Sequence, residues 1–169
     1  MKKIGILFVV IILMSGFTNT IVAQTSLSAT GNAIEVIPIA ISNSGNMNFG
    51  NISVGSTAGS VILAPSGVRS VVGGVTLPIL SGTVSVASFT VSGSVSATYS
   101  ISLPSSYTIS SGTKNMTVNA FTSNPSGTGT LSSSGSQTLL IGATLNVGAS
   151  QGAGAYTNVT GFSISVNYN

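Results

Sequence analysis

The chain has 169 residues, 3 % of them charged, with no Cys, His or Trp and a formal net charge of +3. Ordinary soluble domains carry roughly 25 % charged residues. Here hydroxyl and amide groups of Ser, Thr and Asn must keep the surface wet, and copies hardly repel one another. The composition excludes a disulfide framework, a zinc site and a nucleic-acid surface, which needs clustered Lys and Arg.

MKKIGILFVVIILMSGFTNTIVA, residues 1–23, joins Lys2 and Lys3 to an apolar run from Ile4 to Leu13 and places a small residue, Ala23, before Gln24. This is the pattern of a cleaved secretory signal peptide, and the run falls short of the roughly 18 residues of a membrane span. The expected mature chain, residues 24–169, is one domain behind a flexible N-terminal arm, with no membrane insertion. Its only charges are Glu35, Arg69 and Lys114.

After the polar leader QTSLSATGN comes AIEVIPIAIS (33–42), with Ile34 and Val36 in one phase and Ile37, Ile39 and Ile41 in the other. Pro38 cannot donate to a ladder, so this segment is an edge strand or a kinked one. Val84 and Val86, then Phe89 and Val91, then Val95, Ala97, Tyr99, Ile101 and Leu103 trace strands that change phase at Ala87–Ser88, and Pro104 ends the run. Met116, Val118 and Ala120 alternate before Phe121 breaks phase and the turn-rich SNPSGTG (123–129) follows. Leu139, Ile141, Ala143, Leu145 and Val147 form another apolar face. GASQGAG (148–154) connects it to a terminal strand beginning near Tyr156, in which Phe162, Ile164, Val166 and Tyr168 share one face. About eight to ten short strands without a helical period define an all-β sandwich or barrel.

Acid-base catalysis needs a group that titrates near neutral pH, and the mature chain offers one Glu and no His, Cys or Asp. No enzyme, metal or cofactor is expected. The glycine clusters GAGAY (152–156) and VVGGV (71–75) lack the Lys of a phosphate loop and read as turns. Glycan binding would use exposed rings and amides such as Tyr107, Tyr156, Asn115 and Asn124. The simpler expectation is that the Tyr rings pack in the core with their hydroxyls bonded at its rim.

Three marks, in this order, resemble a secreted bacterial family described as domain of unknown function 4402. They are the turn Asn48–Phe49–Gly50 in MNFGNISVG, the strand Phe89-x-Val91-x-Gly93, and the approach Gly154-x-Tyr156 to a final strand closing Val166-x-Tyr168. That family is similar in layout to spore-coat-U-like proteins and to fimbrial subunits, so the resemblance implies an immunoglobulin-like antiparallel β-sandwich and a structural role at the cell surface, reached through the periplasm. It further implies self-association or related surface subunits as partners. A periplasmic chaperone would capture the C-terminal strand through Phe162, Ile164, Val166 and the penultimate Tyr168. The donor strand for a neighbouring copy would come from the region before Ile41; Ile37, Ile39 and Ile41 are either that donor or the first strand of a self-contained domain. The rival expectations are a monomeric glycan-binding module and, third, an outer-membrane barrel.

Overall fold

A computed structural model describes Gly31 and residues 36–169; the expected signal peptide, most of the arm and Glu35 lie outside the described residues. The described chain forms ten strands and no helix: β1 (Ala40–Gly45), β2 (Ser53–Leu63), β3 (Arg69–Thr76), β4 (Ala87–Ser92), β5 (Thr98–Ser102), β6 (Ser106–Ser111), β7 (Lys114–Asn124), β8 (Thr128–Thr130), β9 (Ser136–Val147) and β10 (Ser165–Tyr168). Every pairing is antiparallel, in a seven-stranded sheet and a three-stranded one ordered β10-β5-β8. The fold is therefore an all-β antiparallel sandwich. Among the described residues both sheets keep free edges, unlike a closed barrel.

β9 is the spine of the large sheet. One edge pairs with β7 from Leu140 to Asn146. The other edge is shared end to end: Ser136–Ile141 pair with β4, and Ala143–Val147 pair with β2. Gly142 marks the handover. A Cβ there would collide with the carbonyl of Leu63 and with the backbone of Ala64 and Pro65, where the β2–β3 hairpin turns. Only glycine lets that hairpin end lie so close to the spine.

The odd-numbered residues of β9 face inward, as alternation requires, and they feed two apolar clusters along the strand. The first lobe gathers Val61, Leu63, Val75, Met116, Val118 and Leu145. The second gathers Phe89, Val91, Tyr99, Leu131, Leu139 and Ile141. Met47 and Phe121 touch both. In the second lobe the small sheet forms the opposing layer, as in an ordinary sandwich. In the first lobe no strand of the small sheet takes part. The cover comes from the irregular segments that carry Phe49, Ile52, Val84, Val86 and Tyr156.

Several sequence expectations acquire a physical meaning here. The phase change near Ala87 is where the chain passes between lobes: Val84 and Val86 pack on the first, Ala87, Phe89 and Val91 in the second. The break at Phe121 is a bulge in β7, with Ala120 at φ 47° and a register shift between Asn119 and Thr122. Two expectations need correction. Val95 does not belong to a long inward face; it is 60 % exposed in the turn between β4 and β5. The terminal strand does not begin at Tyr156, because the Asn158 Oδ1 accepts the N–H groups of Thr160 (2.9 Å) and Gly161 (3.1 Å) and holds a turn. Regular pairing starts only at Ser165.

Candidate functional site

Two regions carry the features singled out in the sequence: the seam where residues 37–41 meet the C-terminal strand, and a groove over the first lobe.

At the seam, among the described residues, β1 pairs only with β4 and β10 only with β5, so both are edge strands. Ile39 and Ile41 pack on the second lobe, whereas Ile37 is 54 % exposed. Ile41 lies in β1 and Ile39 just before it, and both side chains pack within this chain's own core. Phe162, Ile164, Val166 and Tyr168 all pack on the same lobe, although Phe162 and Ile164 precede regular pairing. The Phe162 ring contacts Phe121 (centroids 5.0 Å apart), Tyr107 (5.4 Å) and Phe89 (6.3 Å), so it ties the tail to three strands of the large sheet.

Tyr168 does more than fill space. Its hydroxyl donates to the Ile37 carbonyl (2.7 Å) and accepts from the Ser94 N–H (2.6 Å). A Cβ on Gly93 would overlap that hydroxyl, which explains why two of the sequence marks, Phe-x-Val-x-Gly and Val-x-Tyr, belong together. The penultimate Tyr thus fixes the point where the N-terminal segment joins the fold. Nearby, Tyr99 is fully buried and donates to Gln137 Oε1 (2.8 Å), which also accepts the Thr130 N–H (3.0 Å). Burial pushes the Tyr99 and Tyr107 hydroxyls above the ordinary tyrosine value.

The groove has a volume of about 650 Å³. Its floor is the inner face of the large sheet, with Ile109, Met116 and Leu145; one wall is residues 48–54 and the other residues 151–157. Each wall is held by its own polar bonds. Asn48 Oδ1 accepts the Gly50 N–H (2.8 Å) and allows Gly50 its φ of 70°. Arg69 donates to the carbonyls of Phe49 and Asn51 across that turn. Opposite, Gln151 Nε2 donates to the Asn115 carbonyl (3.2 Å) and to the Tyr156 hydroxyl (2.9 Å), which donates in turn to the Gly152 carbonyl (2.6 Å). Tyr156 thus has its hydroxyl engaged and its ring on the first lobe, and Tyr107 packs between Phe121 and Phe162. Asn115 accepts from the Ser110 hydroxyl (2.8 Å), and Asn124 ends β7 before a cis bond to Pro125. These four residues do not converge on one surface site.

The groove and the role of Arg69 were not foreseen. A lone Arg in a nearly uncharged chain is the signal that was present: such a side chain has few charged partners and turns to backbone carbonyls.

An antiparallel sandwich built on one long spine strand, with a closed lobe and an open one, is the class of protein these features define. The family model described as "Domain of unknown function (DUF4402)" matches residues 39–168, and the chain belongs to that family. No curated protein and no solved structure matches it.

Proposed function

We propose that the protein is a non-enzymatic structural subunit of a secreted surface assembly, in which copies are joined by β-strand addition. The observation that carries this reading is the first lobe, whose cover is irregular chain instead of a second sheet, with a groove between its two walls. A strand laid there by another copy would complete the sandwich. Ile39 and Ile41 are committed to this chain's own core, so the donor is residues 24–36, with Leu27, Ala29, Ile34 and Val36 as its apolar residues.

Position favours exchange between copies. The chain enters the fold beside Ser94 and Tyr168, near the Ser136 end of β9, while the groove lies toward the Val147 end. β9 is 12 residues long, about 40 Å, and an extended arm of residues 24–35 reaches about 40 Å. If the arm of one copy is laid into the groove of the next, the contact is head-to-tail and propagates as an open filament. With Tyr168 locked at the seam in the folded subunit, a periplasmic chaperone would bind the terminal strand before folding is complete. Secretion to the cell surface is part of the same proposal.

The test is electron microscopy and sedimentation of the full chain, expressed with its leader, beside a variant lacking residues 24–35. Filaments or oligomer ladders are expected from the first and monomers from the second, with binding restored by a peptide of residues 24–36. With so few charges, raising the salt should leave assembly nearly unchanged. A sharp monomer peak at high concentration, indifferent to the peptide, would overturn strand exchange and favour a monomeric glycan-binding module using the groove's Asn48, Asn51 and Gln151 amides.

A further inference from the structure

Charge is so scarce after residue 23 that its placement carries information. The only charged side chains there are Glu35, Arg69 and Lys114. Both cations stand at the groove, one on each wall: a Cβ on Gly50 would meet Arg69 Nη1, a Cβ on Gly152 would meet Lys114 Nζ, and both glycines line the groove. Glu35 is the chain's only acidic side chain, and it belongs to residues 24–36, the donor segment. Groove and arm are therefore complementary in charge.

The two cations are not equivalent. Arg69 gives its Nη1 to the carbonyls of Phe49 and Asn51 and holds the turn of its own wall. Lys114 is exposed and opens β7. Because Thr117 pairs with Asn146 in an antiparallel ladder, Lys114 lies beyond Val147, past the end of the spine. Distance decides between them. Glu35 is two residues from Ile37, whose carbonyl is held by Tyr168 of its own copy, so it stays within about 7 Å of that anchor. A residue tethered so closely to the donating fold reaches only the outermost part of a neighbour's groove. That is the end where Lys114 stands, whereas Arg69, paired with Leu63 and through it level with Ala143, lies further in.

Resting on the strand-addition reading, we propose that Glu35 of the donated arm forms an ion pair with Lys114 of the receiving copy. The pair sets the arm's direction, with residue 36 at the outer end of the groove and residue 24 toward the second lobe. An exposed pair adds little affinity and fixes orientation and register instead. A single such pair also leaves the salt dependence of assembly small.

Charge reversal in the full chain tests the pairing, with filament formation followed by sedimentation and electron microscopy. Glu35→Lys and Lys114→Glu should each raise the concentration needed for assembly by about tenfold, since like charges then meet where the pair was. The two reversals together should bring it back to within about twofold of the parent. Lys114 is exposed, so Lys114→Glu should melt like the parent, which separates lost pairing from lost folding. Single reversals that assemble like the parent, or a double reversal as weak as the singles, would overturn the pairing and leave strand addition intact. A parent that never assembles would overturn strand addition, and the pairing with it.

Discussion

The two lobes share a spine but are closed by different means. In the second, β5, β8 and β10 set a paired sheet opposite β4 and β9, so backbone hydrogen bonds hold the cover in place. In the first, the cover is irregular chain held by two isolated bridges, Asn48 with Ser85 and Ser110 with Thr157, and by side-chain bonds from Asn48, Arg69, Gln151 and Tyr156. Apolar burial alone therefore does not make the lobes equivalent. The second cluster is closed by a paired sheet, whereas the first is closed by irregular chain that leaves a groove beside Met116 and Leu145.

The strongest way to break that contrast is a matched pair of truncations. Ile141→Ala, fully buried in the second lobe, should cost about 4 kcal/mol, because its cavity is enclosed. Leu145→Ala, under the groove, should cost about 2 kcal/mol, since the space it leaves merges with one already open. Urea denaturation of both variants measures the difference, and equal losses would mean that the first lobe is as tightly closed as the second. Next in size, Tyr168→Phe removes the hydroxyl shared by Ile37 and Ser94 and should cost about 1–2 kcal/mol. Its signature is faster hydrogen exchange at the Ser94 amide, with the groove unaffected.

The smallest effect is on pH. Below about pH 10 the Tyr99 and Tyr107 hydroxyls are neutral in both the folded and the unfolded chain. Above it the unfolded chain ionises first, because burial raises both groups in the fold. The folded state then holds more protons, and stability falls as pH rises from about 10 through the raised folded values. The urea midpoint should be flat between about pH 6 and 9 in a chain without histidine and should decline above that. Tyr99→Phe should remove the second lobe's share of the decline.

The sequence made some of this legible and hid the rest for definite reasons. Alternation at Leu139–Val147 is visible because one face of β9 is buried along its whole length. The alternation of Phe162, Ile164, Val166 and Tyr168 matches their packing, but strand pairing there is shorter than alternation implies, since side chains can bury alternately while an Asx turn diverts the backbone. By sequence Pro38 marks the middle of an edge strand or a kinked one; β1 is at an edge among the described residues, but it begins at Ala40, two residues after Pro38. The split of the core escaped notice because a phase change at Ala87 looks the same whether a strand bulges or the chain changes clusters. The Tyr168 clamp joins residues whose separation in the chain is 131 positions, and no local pattern encodes it. Gly142 looked like any glycine in a strand; its reason is a hairpin made of residues 64–65, far upstream.

The shared edge of β9 also has a consequence in time. Synthesis runs from the N-terminus, so β2, β3, β4 and β7 all emerge before the strand that aligns them. Until Ser136–Val147 arrives, β2 has only β3 and β4 only β1 beside it, and the edges that the spine will fill stand open to wrong partners. Pairings so distant in sequence also close slowly. Acquisition of the native state thus hinges on a late event, and the chain must be shielded from its own copies for as long as that event takes.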